Sequence, residues 1–209
     1  MTDHAPENWF EDIYAGTDAT GKGVPWAKLT PAPLMVKWLD RHRPAGDGAR
    51  ALVVGCGLGD DAVDLVRRGF AVTAFDVSAS AIDLCRERFG DLPVRWHVTE
   101  LFSPPADWSR AFDLVIEHRT VQSLPPRWQQ RGMAAIADFV APGGTLLVVA
   151  DLRAEGAEPE GPPWRLRPEE LDAFTGAGLR QGDLVVSNVP HEKTRQRVVA
   201  DYRRDGAGS

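Results

Sequence analysis

Cysteine is scarce in this chain of 209 residues, which contains two, Cys56 and Cys85. Two cysteines are too few for a disulfide scaffold, and they lack the spacing of metal ligands. The five histidines show no two-histidine spacing on a helix, the arrangement that often binds zinc. These absences predict a reduced, cytoplasmic protein with no metal site.

Basic residues are also few relative to acidic ones, with 24 Lys and Arg against 30 Asp and Glu and a formal charge of −6. This balance argues against nucleic acid or an anionic membrane as a partner, since both attract basic surfaces. No apolar run reaches the roughly 18 residues needed to span a membrane. The first residues lack the charged-then-apolar pattern of a signal peptide. A small-molecule substrate remains the expected partner, with the protein a monomer or a dimer.

Tyrosine occurs twice, whereas tryptophan occurs seven times. Tryptophan packs cores, but it also covers flat or cationic small molecules. The polar, glycine-rich residues 1–30 contain Trp9 and Trp26, although a disordered tail would be poor in aromatic residues. We therefore expect residues 1–43 to form a lid segment with a helix, residues 44–205 one domain, and residues 206–209 a flexible tail.

From residue 51 onward, short apolar runs alternate with amphipathic helical segments. This alternation is typical of βαβ units, in which helices cover both faces of a parallel sheet. The last two apolar runs are joined by a loop too short for a crossover helix, so they should pair antiparallel. The predicted strands span residues 51–55, 71–76, 94–99, 112–117, 145–150, 183–189 and 196–202, and the predicted helices span 31–43, 60–68, 78–89, 126–139 and 169–178.

A glycine-rich loop, Gly55-Cys-Gly-Leu-Gly59, follows the first predicted strand and opens a helix. Glycines let the backbone turn sharply and let a ligand approach it closely. Asp76 ends the second strand, 21 residues after Gly55, where an acid suits the ribose hydroxyls of an adenosine-containing cofactor. The loop and the acid together predict a site for such a cofactor.

The position of the third glycine favours one cofactor class over another. A dinucleotide-binding loop needs that glycine at position 60, where this chain has Asp60. An acid at a helix N-terminus would also repel a pyrophosphate group. S-adenosylmethionine carries no phosphate, so it is favoured over NAD, and an NAD-linked oxidoreductase is kept as an alternative.

On these motifs the chain resembles class I S-adenosylmethionine-dependent methyltransferases over roughly residues 20–205. Pro25-Trp26, the run from Gly55 to Asp61, and Phe112-Asp-Leu-Val-Ile-Glu117 are similar to the thiopurine and thiol methyltransferase group. The resemblance implies a Rossmann-like α/β fold: a seven-stranded, mostly parallel sheet with an antiparallel C-terminal strand and helices on both faces. It also implies S-adenosyl-L-methionine as cofactor and S-adenosyl-L-homocysteine as product.

The resemblance further implies which residues hold this cofactor. Glu100 would receive the adenine amino group, with Leu101 and Phe102 packed nearby, and Glu117 would face the methionine part and the substrate. Val53 stands where many class I enzymes carry an acid. Asp61 would take over part of that role. The predicted cofactor-binding set is Trp26, Gly55, Cys56, Gly57, Gly59, Asp61, Asp76, Val77, Glu100, Leu101, Phe102 and Glu117.

The acceptor site is predicted in the segment after the fourth strand, because open α/β sheets bind ligands at the carboxyl ends of their strands. Histidine titrates near neutral pH, so His118 is a candidate for proton transfer, and it forms the predicted catalytic pair with Glu117. Arg119 could anchor an acidic substrate. The predicted substrate contacts are Trp9, Arg119, Gln122 and Trp164.

These features together predict methyl transfer to a small molecule, with the thiol sulfur of a heterocyclic or natural-product-like compound favoured by the resemblance. Displacement at a sulfonium mainly needs alignment and a dry site. A thiol is partly ionised at neutral pH, whereas a hydroxyl acceptor needs a general base more urgently. The alternatives left open are O- or N-methylation of a small aromatic metabolite and a non-catalytic scaffold that binds S-adenosylmethionine.

Overall fold

A computed structural model describes residues 7–153, 156–157, 160–189 and 192–206. The chain divides into two compact units, Met1–Pro104 and Pro105–Ser209. The α-helices are α1 (Glu7–Ala15), α2 (Pro33–His42), α3 (Asp60–Arg67), α4 (Ala79–Phe89), α5 (Pro126–Asp138) and α6 (Asp172–Gly176). The strands are β1 (Arg50–Val54), β2 (Ala71–Asp76), β3 (Arg95–Val98), β4 (Phe112–His118), β5 (Val140–Leu152), β6 (Arg180–Val189) and β7 (Glu192–Arg203).

The first unit contains three parallel strands, with β2 between β1 and β3. Four consecutive residues of β1, from Ala51 to Val54, are buried, as expected for a parallel strand covered on both faces. Helix α4 begins at its cap residue Ser78, whose hydroxyl accepts a hydrogen bond from the Ala81 N–H at 3.0 Å. Because the three strands are parallel, the loops that follow them emerge at the same edge.

The second unit contains β4 and β5 in parallel, followed by two antiparallel pairings, β5 with β7 and β7 with β6. The predicted antiparallel pairing of the last two strands is therefore confirmed. The first unit supplies the run β3-β2-β1, and the second the run β4-β5-β7-β6, of a seven-stranded sheet. The predicted Rossmann-like fold class is correct.

Three local differences from the sequence prediction have physical causes. Strand β5 begins at Val140 rather than at residue 145, because the Pro142-Gly-Gly144 segment extends the strand across a register shift opposite β4. The predicted helix 169–178 is a 3-10 turn, Pro168–Leu171, followed by the short α6, after which Gly178 adopts a positive φ of 84°. Helix α1 was not predicted within the lid segment; it forms because Phe10, Ile13 and Tyr14 recur at helical spacing and pack on a buried cluster of the first unit.

Two remaining sequence features fall partly or wholly outside the described residues: the loop at 190–191, and positions 207–209 of the predicted tail. Among the described helices, none has the combined length and apolar character needed to cross a membrane.

Candidate functional site

The glycine loop runs from the end of β1 into α3. Gly59 caps α3 with a φ of +85°, a left-handed conformation that favours glycine. A Cβ atom at this position would lie 2.7 Å from the Trp96 ring and 2.9 Å from the Cys85 sulfur. Both the backbone and the available space therefore demand a glycine here.

Asp76 lies buried at the end of β2, beside the glycine loop. Its Oδ2 accepts a hydrogen bond from the Gly57 N–H at 2.9 Å, and its Oδ1 accepts one from the Ser78 N–H at 3.0 Å. Burial raises the pKa of the Asp76 carboxyl, while these hydrogen bonds act in the opposite direction. The loop and the acid thus form one connected cradle, the arrangement that the predicted ribose contact needs.

Tyr14, on α1, packs against the same loop. A Cβ atom on Gly57 would lie 2.9 Å from the Tyr14 phenol oxygen. That oxygen accepts a hydrogen bond of 3.0 Å from the Trp26 indole N–H, and the Tyr14 side chain is buried. Burial raises the pKa of Tyr14 above its ordinary value, so the phenol stays neutral. The predicted cofactor residue Trp26 is therefore linked to the loop by Tyr14, which was not among the predicted site residues.

Glu11 fastens α1 to the beginning of α4. Its carboxylate accepts hydrogen bonds of 2.6 Å from the Ser78 hydroxyl and 2.6 Å from the Ser80 hydroxyl. The Ser80 N–H lies 3.3 Å from the same carboxylate. These donors lower the pKa of Glu11. Glu11 was not among the predicted site residues, and the aromatic residues around it are the one sequence signal that pointed to this segment.

The other predicted cofactor residues of the first unit follow β1, β2 and β3. Asp61 accepts a hydrogen bond of 2.7 Å from the Ala32 N–H, which ties α3 to the segment before α2. Val77 is half-buried directly after β2. After β3, Glu100 is exposed, Leu101 is buried and Phe102 is half-buried.

The predicted substrate residue Trp9 is 40% exposed, and its ring lies 5.6 Å from the ring of Trp26.

Asp60 and Cys56 are two polar residues in or directly after the glycine loop. Asp60 forms two hydrogen bonds of 2.9 Å with Arg88, so its negative charge is balanced. Because of this pairing, Asp60 would repel a pyrophosphate group only weakly. The position of the third glycine is therefore the feature that still disfavours NAD. Cys56, a predicted cofactor-binding residue, is half-buried. Loss of hydration and the neighbouring Cys85 thiol raise the pKa of the Cys56 thiol, so this side chain is a poor nucleophile.

Glu117, a predicted catalytic and cofactor residue, lies at the end of β4 in the second unit and is completely buried. Its Oε1 accepts a hydrogen bond of 3.0 Å from the Val121 N–H, and its Oε2 has no hydrogen-bond partner among the described residues. Burial raises the pKa of Glu117 to about 7. This carboxyl can therefore exchange a proton near neutral pH.

Gln122 and Trp164, two predicted substrate residues, are connected to each other. The Trp164 N–H donates to the Gln122 backbone carbonyl at 2.6 Å, and the Trp164 carbonyl accepts from the Gln129 side chain at 2.9 Å. The Gln122 side-chain oxygen accepts from the Asp151 N–H at 2.7 Å. Gln122 is buried, and its side-chain oxygen already anchors the end of β5.

Arg119 and His118 complete the predicted acceptor segment. Arg119 adopts a positive φ of 65°, and its guanidinium lies 3.4 Å from the buried Asp151 carboxylate. Arg197 on β7 contacts the same carboxylate at 3.0 Å. His118, the last residue of β4, is half-buried. The second unit thus brings together the predicted residues Glu117, His118, Arg119, Gln122 and Trp164.

Comparison with known proteins shows which families and structures this chain is similar to. A family model for a methyltransferase domain matches residues 51–144, which contain the glycine loop, Asp76, Glu100 and Glu117. The probable thiol methyltransferase 2 of Arabidopsis thaliana is 26% identical over 182 residues, which cover 82% of this chain and 73% of that protein. The chain spans about half the length of several other curated relatives that it matches.

Two solved structures share the fold over nearly the whole chain. A structure described as the conversion of a disulfide bond into a thioacetal group during echinomycin biosynthesis has a TM-score of 0.77 at 20% identity, covering 98% of this chain and 93% of that chain. The 1,6-didemethyltoxoflavin-N1-methyltransferase of Burkholderia thailandensis, bound to 1,6-didemethyltoxoflavin and S-adenosylhomocysteine, has a TM-score of 0.69 at 18% identity, covering 98% and 92%.

These findings confirm the predicted resemblance to S-adenosylmethionine-dependent methyltransferases. The chain is thus similar to S-adenosylmethionine-dependent methyltransferases, with a methyltransferase-domain match over residues 51–144 and thiol methyltransferases among its relatives.

Proposed function

We propose that this protein transfers the methyl group of S-adenosylmethionine to the thiol sulfur of a small heterocyclic or natural-product-like molecule. The observation that carries the proposal is the cradle in which the Asp76 carboxylate is hydrogen-bonded to Gly57 of the glycine loop. The sulfur acceptor is supported by similarity to a probable thiol methyltransferase.

The cradle fits the cofactor chemically. Asp76 offers carboxylate oxygens to the ribose hydroxyls, and the glycine loop lets the ligand approach the backbone closely. Glu100, Leu101 and Phe102 would receive the adenine. The bound cofactor supplies a methyl group already activated on a sulfonium, so the protein needs to bind, orient and dehydrate the reactants. These residue roles are part of the proposal.

Glu117 and His118 are the proposed groups for proton handling at the acceptor. A thiol is fractionally ionised at neutral pH, and a nearby base increases that fraction. Glu117 has a pKa of about 7 and an oxygen without a hydrogen-bond partner among the described residues. It can accept a proton without first breaking an internal hydrogen bond at that atom.

The same observation favours a second candidate function, O-methylation of a small aromatic hydroxyl compound. A hydroxyl acceptor depends on a general base more strongly than a thiol does. Glu117 would then be essential for activity rather than merely helpful.

Isothermal calorimetry with S-adenosylmethionine and S-adenosylhomocysteine tests the cofactor site, and release of S-adenosylhomocysteine with a panel of aromatic thiols, phenols and amines tests the acceptor. We expect binding of both cofactor forms and the fastest turnover with thiols. Turnover with phenols alone would replace the first candidate by the second. Cofactor binding without turnover of any acceptor would favour the non-catalytic scaffold, and binding of NAD instead would contradict the proposal.

A further inference from the structure

The contact between α1 and the beginning of α4 lies next to the proposed ribose site. We propose that Glu11 is a positioning residue of that site: its carboxylate latches α1 onto Ser78 and Ser80 and thereby holds Tyr14 and Trp26 against the glycine loop. The latch would set how long the cofactor stays bound. This inference rests on the proposed cofactor binding and goes beyond it by assigning control of the site to α1.

The latch uses both oxygens of the Glu11 carboxylate. Oε1 accepts from the Ser80 hydroxyl at 2.6 Å, and Oε2 accepts from the Ser78 hydroxyl at 2.6 Å. Hydrogen bonds to a charged group are roughly twice as strong as those between neutral groups. The Ser78 hydroxyl also accepts the capping bond from the Ala81 N–H. The first turn of α4 and the side chain from α1 are therefore joined through one hydroxyl.

Ser78 connects the latch to the cradle, and the charge of Glu11 acts on Asp76. Ser78 donates its backbone N–H to Asp76 and its hydroxyl to Glu11, so it links the two carboxylates directly. The negative charge of Glu11 contributes to raising the pKa of Asp76, after burial. Removing the charge of Glu11 would therefore change the pKa of Asp76, the acid proposed to hold the ribose.

The latch also fixes the aromatic wall of the loop. Tyr14 lies three residues after Glu11 on α1, so the two side chains share a face of the helix. Tyr14 is 3% exposed, with its phenol oxygen against Gly57, and Trp26 donates to that oxygen at 3.0 Å. By holding α1 in place, Glu11 keeps Tyr14 packed against Gly57. Tyr14 in turn positions Trp26 through their hydrogen bond.

The test compares Glu11→Gln, Ser80→Ala and the double variant with wild type, using the complete chain. Asp12→Asn is the matched control, since Asp12 is an exposed acid on the same helix. S-adenosylhomocysteine is the probe, its dissociation rate is measured by stopped-flow tryptophan fluorescence, and thermal melting reports on folding. Ser80 is preferred to Ser78 because Ser78 also caps α4.

We expect dissociation about tenfold faster for Glu11→Gln, which corresponds to the loss of one charged hydrogen bond. Ser80→Ala removes one of the two serine contacts and should show a smaller increase. The effect of the double variant should be less than additive, since the Glu11–Ser80 contact is common to both changes. Asp12→Asn should behave as wild type.

The latch is overturned if wild type binds S-adenosylhomocysteine and Glu11→Gln releases it no faster than Asp12→Asn does. Additive effects of the two changes would also overturn it. If Glu11→Gln does not fold, the Ser80→Ala rate decides by itself. A wild type that binds no S-adenosylhomocysteine contradicts the proposed function itself, which is a separate outcome.

Discussion

Asp76 and Gly57 are joined by a hydrogen bond of 2.9 Å that runs from the backbone N–H of the glycine loop to the buried carboxylate at the end of β2. The bond fixes the carboxylate at the sheet edge from which the loops after the three parallel strands emerge. The same carboxylate orients the glycine loop and is proposed to accept hydrogen bonds from the ribose hydroxyls, so replacing Asp76 removes both interactions.

Asp76→Ala should weaken S-adenosylhomocysteine binding by at least about tenfold, the equivalent of one charged hydrogen bond. Calorimetry measures the dissociation constant. Asp91→Asn, at an exposed acid of the same unit, is the control and should leave the affinity unchanged. An unaltered affinity in Asp76→Ala would remove Asp76 from the cofactor site.

Glu117→Gln should change the pH dependence of stability. The pKa of Glu117 is about 7 in the folded protein against an ordinary 4.5, so the stability gained from its proton is complete below the ordinary value and is lost as pH rises through 7. Glutamine does not ionise. The free energy of unfolding of the variant relative to wild type should therefore rise by about 2–3 kcal/mol between pH 5 and pH 8.

Denaturant titrations of both proteins at the two pH values measure this difference. Glu160→Gln, at an exposed acid, provides the comparison and should show no such trend. A constant difference between wild type and Glu117→Gln would mean that Glu117 is already hydrated or paired. In the methyl-transfer assay, the same substitution should lower turnover above pH 7 if Glu117 accepts the acceptor proton.

Trp26→Ala should weaken binding of cofactor or substrate more than it destabilises the fold. Trp26 is half-buried, and an indole face beside a sulfonium is worth about 0.5–2 kcal/mol. Trp26→Phe keeps a ring but loses the hydrogen bond to Tyr14, so the two variants separate ring contact from positioning. Equal binding by wild type and Trp26→Ala, measured by calorimetry, would return Trp26 to a packing role.

Gly59→Ala should destabilise the chain more than Gly143→Ala does. Both glycines have a positive φ, of 85° and 78°, so an alanine at either costs roughly 1–2 kcal/mol in backbone strain. At Gly59 the added methyl also meets Trp96 and Cys85, whereas nothing lies within 4 Å at Gly143. Chemical denaturation should show roughly 1–3 kcal/mol of extra loss at Gly59. Equal losses would show that the loop relaxes around the methyl.

Local sequence patterns were sufficient for the elements that carry the cofactor motifs. Strand β2 was predicted at its observed bounds, and the predicted helix 78–89 begins at the observed cap residue Ser78, because apolar alternation and capping are local signals. Helix α1 was missed although Phe10, Ile13 and Tyr14 recur at helical spacing over its nine residues. Its docking depends on Glu11 contacting Ser78 and Ser80, more than 60 residues away. Single-sequence periodicity cannot detect such a contact.

The burial and pairing of charged side chains also depend on contacts between residues far apart in sequence. The position of Glu117 at a strand end was predicted, but its complete burial depends on how the chain packs around it. The pairing of Asp60 with Arg88, 28 residues along the chain, likewise changed an electrostatic argument that had treated the acid alone. Which residue types stand at the sheet edge is readable from sequence, whereas their protonation follows from tertiary contacts.

The indole rings of Trp9 and Trp26 lie 5.6 Å apart and are tilted by 36°. Two chromophores at this spacing and angle couple electronically, so the pair should give a split band in the far-ultraviolet circular dichroism spectrum. Because Trp9 belongs to α1 and Trp26 to the segment after it, the split band would vanish when the helix moves away. The chain thus carries its own optical marker for the seating of α1, without any attached dye.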